Sequence, residues 1–111
     1  MSKLMEIEVG DKNYVLGYPT RKDALIAEEK GLDVINNNGK VLTLSSKLFY
    51  TGLLAKQPKI TEEEAMDVME QYINEGGEIE EIIQFLTEQF VAFIQSPAGT
   101  KKKKKAKIVE M

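Results

Sequence analysis

Neither cysteine nor histidine occurs in the 111 residues. The first absence excludes disulfides, thiolate metal sites and a thiol nucleophile. The second removes the usual general base and the commonest zinc ligand. Tryptophan is absent as well, so four Phe and four Tyr are all the aromatic bulk available to a small core. Basic residues are missing from the whole stretch between Lys59 and Lys101, where ten acidic residues fall. No apolar run approaches the ~18 residues that a spanning helix needs, so no membrane association is expected. The start, Met1 to Gly10, reads polar and alternating and lacks the continuous apolar block of a signal peptide. A cytoplasmic protein is the expectation.

What is present is an ordinary globular composition, 42% hydrophobic and 30% charged. The charge is unevenly spread. Residues 1–100 carry 9 Lys+Arg against 17 Asp+Glu, a net of −8. Residues 101–111 carry 6 Lys against one Glu, a net of +5. This divides the chain into one expected domain, 1–97, and a lysine-rich tail, 98–111, expected to be disordered and dispensable for the fold because its like charges repel.

The patterning predicts an α+β fold, mostly helical: an N-terminal β-hairpin followed by about four helices. Met5, Ile7 and Val9 alternate with Glu6 and Glu8, and Tyr14, Leu16 and Tyr18 alternate again after Gly10-Asp11-Lys12. Period two on both sides of a glycine turn argues two antiparallel strands with one buried face. Thr20 can cap a short helix through Lys30, stopped by Gly31. Asn36 to Gly39 is a turn that would join two very short strands, Val34-Ile35 and Val41-Leu42. Leu44 to Gln57 fits a helix ended by Pro58. Thr61 and Glu64 form a capping box, followed by Ala65, Val68, Met69, Tyr72 and Ile73 at helical spacing. Gly76-Gly77 breaks that helix, and a last one runs from about Glu78 to Gln95. The two apolar stripes and the short break predict that these final helices pack on each other as an antiparallel pair.

Chemistry has little to work with. The acid groups Glu28-Glu29, Glu62-Glu63-Glu64 and Glu80-Glu81 are sequence neighbours, which on a helix point in different directions and read as solvated surface. Gly39-Lys40 lacks the earlier glycine and the following Ser/Thr of a phosphate loop. The Asn36–Gly39 turn lacks the ligand spacing of a calcium loop. Neither enzymatic activity, a cofactor nor a bound metal is expected. The lysine run could grip phosphates, act as a nuclear localisation patch or simply be a solvated end. An acidic body and the lack of aromatics among the lysines argue against nucleic acid.

The end of the last helix is unusual. Phe90 to Ile94 are five consecutive apolar residues, and Phe85 lies off the main stripe. A helix covered on one side alternates with polar residues, so apolar residues all round mean burial on several sides, inside the domain or against a partner. Phe85, Phe90, Val91, Phe93 and Ile94 are therefore the candidate partner-binding residues, with self-association as one possibility.

The hairpin Met5-Glu6-Ile7…Tyr14-Val15-Leu16, the helix Leu44–Gln57, the connection Pro58-Lys59-Ile60-Thr61-Glu62-Glu63-Glu64-Ala65 and the final helix pair together resemble the tail assembly chaperones of long-tailed phages and prophages of Gram-positive bacteria. The resemblance covers roughly residues 3–96 and rests on apolar spacing and that connection. It implies a protein that holds the tape measure protein soluble, helps recruit tail tube subunits, and carries no catalytic residues. It also implies a reading of the lysines. Members of that family are often made in two lengths by a −1 ribosomal frameshift near the end of the shorter frame. Consecutive lysines require an adenine-rich message, which is what slippage needs. The alternative function is a small regulatory or adaptor protein that binds nucleic acid or a protein through its basic tail.

Overall fold

The computed structural model describes residues 3–34 and 40–94. The fold is α+β and mostly helical, a hairpin followed by four helices: β1 (Met5–Val9), β2 (Lys12–Leu16), α1 (Arg21–Glu29), α2 (Val41–Leu54), α3 (Glu62–Asn74) and α4 (Ile79–Ile94). The strands pair antiparallel, with Ile7 opposite Tyr14 and Val9 opposite Lys12. Gly10 and Asp11 close the turn. Gly10 has a φ of 64°, the left-handed value that the first position of a type II′ turn needs and that glycine adopts without strain. Alternation then buries Ile7, Val9 and Leu16 on one face and leaves Glu6 and Glu8 exposed on the other.

Helix α2 is the hub. Residues Leu48 to Leu53 are buried without interruption, because α1, α3, α4 and β2 all pack on this one helix. Gly52 sits at its crossing with α4. A Cβ built there would come within 2.9 Å of a methyl of Leu86, so the glycine lets the two helices approach closely. The Gly52 carbonyl also accepts a hydrogen bond from the Gly17 N–H at 2.9 Å, which stitches the end of the hairpin to the same point.

The helix ends follow local chemistry. Thr20 with Asp23, and Thr61 with Glu64, form reciprocal capping boxes at the starts of α1 and α3. At the end of α1 the N–H groups of Gly31 and Leu32 bond to the carbonyls of Glu28 and Ala27; at the end of α3 those of Gly76 and Gly77 bond to Ile73 and Tyr72. Both are Schellman closures, and Gly31 (φ 106°) and Gly76 (φ 93°) supply the left-handed residue each requires.

Two expectations are corrected. Val41-Leu42 is not a strand but the first turn of α2, where the two side chains are 69% and 83% exposed. Helix propagation adds one hydrogen bond per residue once a buried segment has nucleated it, whereas no strand is there to pair with them among the described residues. Its proposed mate Ile35, the Asn36–Gly39 turn and the tail 98–111 lie outside the described residues. By the same correction α2 runs from Val41 to Leu54 instead of Leu44 to Gln57, although the Gln57 N–H still donates to the Leu53 carbonyl at 2.8 Å. The second correction concerns α3 and α4. Each packs chiefly on α2 and only lightly on the other. Met69 is accordingly half-buried, and Ala65 and Val68 are the interior positions of α3.

Gly52→Val should destabilise the fold by about 1–3 kcal/mol, the range for overpacking a close-packed contact. Urea denaturation followed by circular dichroism measures it. A wild-type midpoint would mean that α2 and α4 are not in contact at Leu86.

Candidate functional site

Exposed apolar side chains from two elements come together where α1 meets the end of α4. Four consecutive apolar residues in α1, Ala24 to Ala27, cannot all face inward on a helix. Ala24 and Ala27 are buried, which turns Leu25 outward at 54% exposure. On α4, Ile82, Leu86 and Phe90 are the buried stripe, which turns Ile94 outward at 49% exposure with Phe93 half-buried beside it. Leu25, Phe93 and Ile94 therefore line one cavity of about 250 Å³, with Arg21 and Glu28 at its rim. A second cavity of about 440 Å³ adjoins it across Phe90, Ile94 and Glu28, and is also lined by Leu32, Asp33 and Val34. The two form a groove in which Leu25, Phe90, Phe93 and Ile94 stand beside one basic residue, Arg21, and two acidic ones, Glu28 and Asp33.

Arg21 fixes the end of α4 in this groove. Its Nη1 donates to the Phe93 carbonyl at 3.0 Å, and its guanidinium carbon lies 5.5 Å from the centroid of the Phe93 ring. The carbonyls of a last helical turn lack intrahelical partners and carry the negative end of the helix dipole, so a cation there satisfies both needs. No basic residue of α4 itself is in that turn. α1 supplies the missing charge.

The five candidate residues divide under this geometry. Phe90 is 3% exposed and packs edge-to-face on Tyr18, with ring centroids 5.6 Å apart at 68°. It is core, a floor for the groove but no free side chain for a partner. This corrects the expectation for that residue: at i+4 from Leu86 and i+8 from Ile82 it continues the buried stripe. Phe85 and Phe93 are half-buried against the core. Val91 is half-buried and Ile94 exposed. Only Phe90, Phe93 and Ile94 of the five line the groove. Leu25, Arg21 and Leu32 were missed. The run Ala24-Leu25-Ile26-Ala27 carried the same signal for Leu25 as Phe90 to Ile94 did for α4, since four apolar residues in a row exceed one helix face.

Elsewhere the described residues offer an open hollow of about 490 Å³ beside Tyr14, Gln57, Ile60 and Val68. They hold no group of three acidic side chains able to share a metal ion. No helix among them is long and apolar enough to cross a membrane.

Over residues 1–109 the sequence matches a family described as a domain of unknown function, DUF5055. The chain belongs to the DUF5055 family. Neither curated proteins nor solved structures give a match. The description of DUF5055 assigns no activity, so a function for this chain has to be argued from its groove and its charge.

The division of roles between floor and rim can be measured. Phe90→Ala should cost the DUF5055 fold about 3–5 kcal/mol, as for a buried aromatic. Leu25→Ser should stay within about 0.5 kcal/mol of wild type, as for an exposed position. Equal losses in the two variants would place Leu25 in the core and close the groove.

Proposed function

We propose that this chain holds a helical client and acts, without catalysis, as a tail assembly chaperone of a long-tailed phage in the host cytoplasm. The observation that carries the reading is the open groove between α1 and α4, where Leu25 and Ile94 face one cavity beside Phe93. Grooves of this kind accept the apolar face of an amphipathic helix. A tape measure protein, the client implied by the family resemblance, is a very long helical chain whose stripes aggregate unless covered. The acidic surface of α3 and α4 supports the same reading, because a strong net charge keeps a holder and its exposed client apart from other copies. Recruitment of tail tube subunits belongs to the same proposal, and so does the lysine run as the trace of a slippery message.

Two experiments test it. Coexpression of a tape measure segment with the wild-type chain should keep the segment soluble. The double variant Leu25→Glu/Ile94→Glu should fold with a thermal midpoint within a few degrees of wild type, since both sites are exposed, and leave the segment insoluble. Retained holding by that variant would remove the groove from the proposal. Independently, recoding Lys101 to Lys105 with synonymous codons leaves the protein identical and should abolish a longer frameshifted product. If no open frame overlaps in the −1 register, the frameshift part is wrong.

A further inference from the structure

Helix α1 carries its charges the wrong way round for a helix standing alone. Arg21 and Lys22 open its first turn and Glu28 and Glu29 close its last, all four of them exposed. The helix dipole is positive at the start and negative at the finish, so each pair sits against a charge of its own sign. Asp23 is the one acid in the first turn, and no base stands in the last. Nor can the two pairs relieve each other within one copy. Side chains on a helix meet at a spacing of three or four, and those positions after Arg21 and Lys22 are Ala24, Leu25 and Ile26. Each base stands seven residues from the acid on its own flank, ~10.5 Å along the axis. Midway between them is Leu25, 54% exposed. Arg21 and Glu28 lie on the flank toward α4, where they line the groove with Phe93 and Ile94, and Lys22 and Glu29 lie on the other flank.

We propose that this face is an interface between two copies of the chain, paired through antiparallel α1 helices about a twofold axis at Leu25. A partner for the face must offer acids at one end and bases at the other, with an apolar centre, and α1 itself is such a surface. The symmetry fixes the contacts. Reversing one helix on the other brings like flanks together and matches positions at equal distance from Leu25 in opposite directions. Arg21 then lies beside Glu28 of the partner subunit and Lys22 beside Glu29 of the partner subunit, each contact being made twice. Arg21 can take part because its bond to the Phe93 carbonyl uses one of its several N–H donors. Leu25 meets its own equivalent at the axis, beside the cavity of about 250 Å³ that it shares with Phe93 and Ile94. The conflict with the dipole is removed at the same time, since the reversed helix lays its acids beside the positive end of its neighbour. A parallel pairing would instead set base on base and acid on acid. A nine-residue helix makes a small interface, so the dimer is a weak one. It covers Leu25, and a client helix seated in the groove would compete with it.

The test needs no client, so its outcome stands apart from the chaperone reading. Sedimentation velocity on the full chain at low ionic strength, from about 10 µM to 1 mM, covers the range of weak association. Wild type should form a reversible dimer. Lys22→Glu and Glu29→Lys should each weaken it about tenfold, because either change faces like charges twice. Both changes place a charge that suits the dipole at its end of α1, so neither should disturb the fold. Glu29→Lys is the sharper probe, since it lowers the net negative charge of the chain and would strengthen an association limited by general repulsion. An equimolar mixture of the two variants should dimerise as wild type does, because the two introduced charges then face each other and the native pair survives at the other contact. A wild type that stays monomeric throughout, a single variant that dimerises as wild type does, or a mixture that fails to restore the dimer would each overturn the proposal.

Discussion

Everything in the fold converges on the buried phenol of Tyr18. The residue follows β2 and is fully excluded from solvent. Its hydroxyl lies 3.1 Å from the Leu48 carbonyl and 2.8 Å from Thr51 Oγ1, both on α2, while its ring meets Phe90 and its N–H donates to Gln89, both on α4. One side chain thus ties the end of the hairpin to two helices that are remote in sequence. A two-stranded hairpin is marginal alone in water, and this anchoring gives it a surface to fold against. The apolar surroundings push the phenol pKa well above its ordinary value, so the group stays neutral and its hydroxyl proton stays available for hydrogen bonding.

Around that anchor the protein repeatedly uses uncharged amides and hydroxyls where its elements meet. Gln57 closes the β2 edge; Gln89 bridges the Tyr18 N–H and the Lys3 carbonyl; Thr51 links Tyr18 to the Lys47 carbonyl. Each glutamine amide offers both a donor and an acceptor, which lets it pair a backbone edge as a peptide group does. Charge is kept outside. An ion pair joins Lys47 to Glu62 at 2.8 Å, and it is partly solvated. α3 and α4 carry no basic residue of their own, which sets the field that a client would meet.

The groove is a by-product of how small helices bury themselves. α1 turns two alanines inward and therefore presents Leu25 outward; α4 turns Ile82, Leu86 and Phe90 inward and presents Ile94. Side by side, with Arg21 pinning the end of α4, they line one open groove between the two helices.

The local elements were legible in the amino-acid order because their causes are local. Alternation at Met5 to Val9 and around Tyr14, the capping boxes at Thr20 and Thr61, and the stops at Gly31 and Gly76 all depend on residues within a few positions of each other. A strand at Val41-Leu42 was expected for the complementary reason: two aliphatic residues after a turn look alike in a strand and in an exposed first helical turn, and only the helical hydrogen bonds of α2 decide. The arrangement of α3 and α4 was not legible either. Their stripes were seen, but the surface that both prefer is α2, which stands earlier in the chain and opens a close approach at Gly52. Likewise Phe90 and Ile94 belong to one apolar run, and the sequence by itself determined only that the run exceeds one helix face. Which of the two is core and which is rim was decided by Tyr18 and α1, groups about 70 residues away, because burial is a property of what arrives opposite a side chain and not of the side chain's neighbours in sequence.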